Sequence, residues 1–156
     1  MENDADALSD IYSYYVEETT ISFETVAPSS EEMRERIKEI SGRYPFIVTE
    51  ENGIIQGYAY AHKWKDRSAY DKTAELTIYL RHGITGKGLG SRLLTKLIDE
   101  CRACGLHVLV TCITDNNEAS LNLSRKFGFS QASHFHEVGI KFGQRLGVID
   151  FELLLE

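Results

Sequence analysis

Thr85-Gly86-Lys87-Gly88-Leu89-Gly90-Ser91 decides the reading of this chain, because of what stands on either side of it. Before it runs Ala74-Glu75-Leu76-Thr77-Ile78-Tyr79-Leu80, whose β-branched and aromatic residues predict a strand. After it, Leu89, Leu93, Leu94, Leu97, Ile98 and Cys101 recur at helical spacing, which predicts an amphipathic helix from about Gly88 to Cys104. Three alternating glycines at a helix start remove the Cβ atoms that would block a close ligand. They also leave backbone N–H groups unpaired at the positive end of the helix dipole, a setting suited to a pyrophosphate. Lys87 adds a nearby charge. A plain glycine-rich connector has the same look, so spacing has to discriminate. A Walker loop has four residues between its first glycine and a Gly-Lys pair followed by Ser or Thr; here Gly88 follows Lys87. A dinucleotide fingerprint wants a third glycine where Ser91 stands, and an acidic residue ending the next strand. Asp115 comes late, in a loop-like run.

Working outward, residues 5–17 read as a first helix with Leu8, Ile11, Tyr12 and Tyr15 on one side. Ser29-Ser30-Glu31-Glu32 is a helix start with acid in its first turn, and that helix continues through Met33, Ile37 and Ile40 to Gly42. Pro45–Thr49 reads as a strand, Asn52-Gly53 as a hairpin turn, and Ile54–His62 as the return strand. With residues 73–80 these predict a three-stranded meander. His107–Ile113 is almost continuously apolar, as in a buried central strand. Asn117–Phe127 is a short helix closed by Gly128, and strand-like runs follow near 131–139 and 146–155. The order predicts an α+β (mixed α/β) chain on one central sheet. Strand 73–80, helix 88–104 and strand 107–113 form its βαβ unit, expected to be right-handed.

A length of 156 residues fits a single domain, 1–156, and 42% hydrophobic residues suffice for a substantial core. The formal net charge of −7 and the lack of a basic cluster argue against nucleic acid as a partner. No apolar run reaches the ~18 residues of a membrane span, and the acidic N-terminus does not resemble a signal peptide. The expected setting is cytoplasmic, and the odd count of three cysteines agrees by arguing against a disulfide framework. Cys101-x-x-Cys104, near His107, sits at a helix end where the dipole disfavours a thiolate, and no fourth zinc ligand has suitable spacing. His134-x-His136 has no evident carboxylate or cysteine partner, so no metal is expected.

Several segments together resemble the GCN5-related N-acetyltransferases (GNAT). Thr85-Gly86-Lys87-Gly88-Leu89-Gly90 is similar to their Gln/Arg-x-x-Gly-x-Gly/Ala signature, and Asn117 through Phe127-Gly128-Phe129 to a second motif. Trp64-Lys65-x-Arg67-x-Ala69-Tyr70-x-x-Thr73-Ala74-Glu75, Tyr44-Pro45 and Gly139-Ile140-Lys141-Phe142-Gly143 resemble the phosphinothricin and methionine sulfone acetyltransferase branch. The resemblance implies a mixed sheet splayed between two central strands, flanked by about four helices, with acetyl-CoA wedged in the opening. It implies that Thr85, Gly86, Lys87, Gly88, Leu89, Gly90 and Ser91 hold the pyrophosphate. The backbone of Thr77, Ile78 and Tyr79 would pair with the pantetheine arm, and Asn117 would touch that arm. Members of this branch acetylate small amino-acid-like amines and are often homodimers. Departures are visible. Thr85 stands in the Gln/Arg place, Ser124 where many members have Tyr and this branch often His, and Phe142 where some carry a catalytic His. The strand that usually precedes the first helix has no counterpart.

Acetyl transfer to an amine needs the neutral nucleophile, and an alkylammonium has a pKa of about 10.4. A carboxylate in reach takes that proton. Glu75, on the strand leading into the glycine loop, is the candidate base; an exposed strand glutamate is the competing reading. Strand alternation puts Glu75 with Thr77 and Tyr79, opposite Leu76 and Ile78. Backbone N–H groups of 76–79 are candidates to stabilise the oxyanion. Ala74, Glu75 and Leu76 would border the acceptor. Lys65 and Arg67 would grip its carboxylate or serve as ordinary solvated charges, with Arg67 suited to a bidentate hold. Tyr70 and Trp64 would wall the pocket or pack beneath the loop, with packing favoured for Trp64. Acetylation of a protein amine and acyl-CoA sensing without turnover are the alternative functions.

Overall fold

The computed structural model describes residues 1–84 and 86–156. Helix α1 is Ala5–Glu17, preceded by a 3-10 turn, and α2 is Ser30–Ser41. The capping box expected for α2 is formed. Ser29 Oγ accepts from the Glu32 backbone N–H at 3.2 Å, and the Glu32 carboxylate accepts from the Ser29 N–H at 2.7 Å. Strands β1 (Phe46–Glu51) and β2 (Ile54–Lys63) are joined by Asn52-Gly53. Both turn residues have positive φ, 53° and 77°, the requirement of a tight hairpin and the reason for the Asn-Gly pair. Strand β3 is Thr73–Leu80, α3 Leu89–Ala103, β4 Val108–Thr114, α4 Glu118–Lys126, β5 Ser130–Lys141 and β6 Gln144–Leu154. Among the described residues no strand precedes α1.

The six strands form one mixed sheet in the order β1-β2-β3-β4-β6-β5. The meander β1-β2-β3 is antiparallel, β3 and β4 are parallel with α3 as crossover, and the final hairpin inserts β6 beside β4, leaving β5 at the edge. Alternation along the strands creates two cores. Ala59, Ala61, Ala74, Leu76, Leu109 and Phe151 pack with Leu93, Leu97 and Cys101 of α3 and Leu121 of α4. On the other face Phe46, Ile55 and Tyr58 pack with Leu8, Ile11 and Tyr12 of α1 and with Met33 and Ile37 of α2. Among the described residues no helix is long and apolar enough to cross a membrane.

What positions the site is a failure of pairing. β3 and β4 are bonded only through Thr73↔Val108, Ala74↔Leu109 and Glu75↔Val110. Beyond Glu75 the two strands part, and the facing edge of Leu76–Leu80 has no ladder partner.

Candidate active site

A cavity of about 580 Å³ fills the splay. Its walls are Leu76–Leu80 of β3 with Arg81 just beyond the strand, Thr111–Thr114 of β4, Asn117, Ser120 and Leu123 around α4, and Gly90 and Leu94 of α3. Tyr12, Tyr15 and residues 21–24 close its remaining side. Buried peptide groups need partners, so an unpaired strand edge inside a cavity is suited to a ligand that carries its own amides.

Glu75 stands at the mouth of the splay, the last residue of β3 still paired to β4. Its side chain is 24% exposed. Burial raises its carboxyl above the usual carboxylate range, His62 opposes that rise, and Cys112 and Asp150 are its other polar neighbours. Thr77 and Tyr79 share its face, and Tyr79 packs against Tyr12 and Tyr15 with ring centroids 4.9 Å away in each case. Tyr12 donates to Glu24, which holds Arg36 through two contacts of 2.9 and 2.7 Å. Burial is the main reason that the Tyr12 phenol is pushed up to about 12. Tyr15 donates to the Leu80 carbonyl at 2.6 Å, so α1 is tied directly to the end of β3. Lys141 Nζ donates to the Ser22 carbonyl at 2.7 Å, which fixes the 21–24 wall to β5.

At the other end, α3 starts on Gly88 with φ 69°, no side-chain cap and no acid in its first turn. By contrast α2 carries its capping box, and α4 is capped by Asn117 Oδ1 accepting from the Ser120 N–H. Gly86 is also at positive φ, 75°, and Gly86, Lys87 and Gly88 are exposed. The free first-turn N–H groups of α3 are therefore presented to whatever occupies the end of the cavity. Lys87 lies 3.6 Å from Glu51 of the hairpin.

Of the site residues expected from sequence, Glu75, Leu76, Thr77, Ile78, Tyr79, Gly90 and Asn117 line the cavity, with Gly86, Lys87 and Gly88 at the start of α3. Leu89 is buried, and Ser91 accepts from Lys126 at 3.0 Å, tying α3 to α4. Ala74 is fully buried in the core and is not part of the lining. Lys65 and Arg67 are exposed on the loop after β2 and also stand off the lining. Lys65 Nζ lies over the Trp64 ring at 4.1 Å, and Trp64 meets Tyr70 edge-on at 5.2 Å, the packing expected of Trp64. Thr85 lies outside the described residues. Ser124 is buried with its Oγ 3.3 Å from Thr111 Oγ1. Sequence reasoning missed the 21–24 wall, Cys112 and His62. Only the register of neighbouring strands brings the last two to Glu75.

The family model of the acetyltransferase (GNAT) domain matches residues 1–147. The chain belongs to the GNAT acetyltransferases. It is 36% identical over 155 residues to the L-methionine sulfoximine/L-methionine sulfone acetyltransferase of Salmonella typhimurium, covering 98% of this chain and 90% of that one. It is 35% identical over 140 residues to the phosphinothricin N-acetyltransferase of Streptomyces viridochromogenes, covering 90% and 76%. The solved structure of a GNAT phosphinothricin acetyltransferase from Sinorhizobium meliloti, in complex with acetyl-CoA, is similar with a TM-score of 0.96 at 32% identity, covering 99% of this chain and 85% of that one.

Two features of this acetyltransferase stand apart from the cavity. Cys101 is buried in the core, its thiol pushed up to about 12 by burial, while Cys104 is exposed, so the Cys-x-x-Cys pair converges on nothing. His134 does have a carboxylate partner, contrary to the expectation from sequence: its Nε2 lies 3.2 Å from Asp115 Oδ2. The β4–β6 ladder next to β5 creates that contact, which spacing alone conceals. Among the described residues no group of three ligating side chains could hold a metal ion.

Proposed function

We propose that this chain transfers the acetyl group of acetyl-CoA directly to the amine of a small amino-acid-like acceptor of the methionine sulfone, methionine sulfoximine or phosphinothricin type, with Glu75 as general base. The single observation that carries the reading is that the β3–β4 pairing ends on Glu75, so that one half-buried carboxylate stands where an unpaired strand edge enters a cavity of about 580 Å³. The chemistry of that cavity fits acetyl-CoA. The exposed turn at 86–88 and the uncapped start of α3 at Leu89, Gly90 and Ser91 suit a pyrophosphate, and Thr85 is proposed as a cofactor-binding residue from the motif alone. The open edge at Thr77, Ile78 and Tyr79 suits the amides of a pantetheine arm, and Asn117, the N-cap of α4, lines the same cavity.

At the acceptor end Glu75 removes the ammonium proton, and its raised carboxyl makes it a stronger base than an exposed glutamate. The wall of Tyr12, Tyr15 and residues 21–24 favours a compact acceptor over a protein chain. Lys65 and Arg67, on the loop joining β2 to β3, are the candidate holders of the acceptor carboxylate. Arg67 makes no ion pair among the described residues. Ala74 acts only by holding Glu75 in register, and Leu76 borders the acceptor. Residues 1–156 work as one N-acetyltransferase domain. The acidic composition and three free cysteines support a cytoplasmic setting, and the resemblance to the phosphinothricin branch supports a homodimer.

The test is thioester turnover with each amino acid, its amide and a lysine-containing peptide. The acids should turn over fastest. Arg67→Ala should raise KM for acids by a factor of a few, corresponding to the roughly 0.2–1 kcal/mol of an exposed charge pair, and should leave the amides nearly unchanged. Equal rates for acid and amide, or preference for the peptide, would reject the acceptor while leaving acetyl transfer intact.

A further inference from the structure

β2 pairs with β3 so that His62 stands directly opposite Glu75. His62 Nε2 lies 3.8 Å from Glu75 Oε1, and His62 Nδ1 lies 3.1 Å from the Lys63 carbonyl oxygen. A carbonyl only accepts, so Nδ1 donates to it, and in the neutral ring Nε2 presents its lone pair to the carboxylate. Glu75 lines the cavity; His62 does not, and its side chain is 31% exposed. The imidazole therefore stands behind the carboxylate, on the way out to water.

We propose that His62 is the positioning and relay partner of Glu75: its free Nε2 receives the proton that the carboxylate takes from the acceptor ammonium and passes it to solvent. The proposal rests on the reading of Glu75 as base. The N–H bond of the ammonium breaks, its electron pair stays on nitrogen, and the proton bonds to a Glu75 oxygen. It moves to His62 Nε2 across one bridging water or a small side-chain rotation, and the imidazolium then gives a proton to bulk water. A second proton leaves nitrogen with the departing thiolate, so one acetamide, one thiol and one released proton balance the reaction. The other groups facing the pair are Cys112 of β4 and Asp150 of β6, both beside Glu75, and Tyr60 of β2, whose ring centroid is 5.6 Å from that of His62. Lys63 is engaged with Asp66 at 3.4 Å. None of these offers Glu75 a second cationic acceptor. Burial and Asp150 push the Glu75 carboxyl up, and His62 pulls it down.

The experiment has two readouts. Ring-nitrogen NMR of the full chain at neutral pH, without substrates, should show His62 protonated at Nδ1; protonation at Nε2 alone would overturn the proposal. His62→Gln and His62→Asn should lower kcat/KM about tenfold, less than the roughly 10²-fold minimum expected for losing the base itself. The acidic limb of their pH profile should move to higher pH, because Glu75 loses the group that holds its carboxyl down. KM for acetyl-CoA should be unchanged, and millimolar imidazole buffer should restore the rate in the variants alone. An unmoved acidic limb with no response to imidazole would overturn the relay. Full activity of Glu75→Gln would instead overturn the base reading and the relay with it, whatever the ring-nitrogen result.

Discussion

Glu75 is the residue on which the chemistry turns, and its two properties conflict. Burial raises its carboxyl against the opposing pull of His62 and Cys112, which sharpens it as a base but makes the ionised form costly to keep in the fold. A carboxyl raised above its unfolded value of about 4.3 favours folding while protonated. That advantage is lost as pH rises from the unfolded value through the folded one. Glu75→Gln should therefore equal or exceed the parent in thermal midpoint at pH 7 and lose any such advantage at low pH. Its turnover should drop by about 10²–10⁴-fold, with partial recovery at high pH as free amine accumulates. Calorimetry and pH–rate profiles on one preparation check both halves; full activity at pH 7 would make Glu75 merely structural. At this scale the sequence is only half legible. Glu75 follows from strand alternation and its place before the glycine loop, whereas His62 is 13 positions upstream and reaches Glu75 only through the β2–β3 register.

The elements themselves are written locally. Ser29 and Glu32 start α2, Asn52-Gly53 turns the hairpin, and the leucine spacing of α3 gives its length to within a residue at each end. Strand ends drift by one or two residues more: β1 runs on to Glu51 and β5 to Lys141, because neighbouring ladders extend them past the apolar runs. The start of α3 is where local structure becomes chemistry. Gly88 sits at φ 69° with open space around its missing Cβ, so a side chain there is limited by backbone strain rather than by collision. Non-glycine residues lose roughly 1–2 kcal/mol in this conformation, asparagine least. Gly88→Asn should thus fold and retain CoA binding. Gly88→Glu should fold with similar strain yet bind CoA much more weakly, since it sets a carboxylate against the pyrophosphate. Isothermal titration of CoA separates the two; equal affinity in both folded variants would remove the α3 N-terminus from the site.

At the scale of the whole molecule the sheet is two half-sheets held by three residue pairs, Thr73–Glu75 against Val108–Val110, together with α3 packed beneath both. The βαβ unit was readable from the order strand, glycine loop, helix, strand. The splay was expected only through the resemblance to the acetyltransferases, and the insertion of β6 between β4 and β5 was not read at all, since both depend on partners far along the chain and on a ladder that stops although both strands continue. Within the chain, this opening leaves the Leu76–Leu80 edge unpaired. A ligand that bonds to that edge and also touches the N-terminus of α3 and Asn117 bridges the two halves. Binding to the folded state alone stabilises it by about 2.7 kcal/mol at a ligand concentration of 100 Kd. A chain of this size gains roughly 2–4 °C per kcal/mol, so saturating acetyl-CoA should raise the thermal midpoint by roughly 5–10 °C. Hydrogen exchange should slow at residues 76–80 and 111–114 more than at the β1–β2 hairpin, because only the former edges the splay. A shift without protection of both strands would mean that acetyl-CoA binds without bridging the halves, and no shift at all would mean that the folded chain does not bind it.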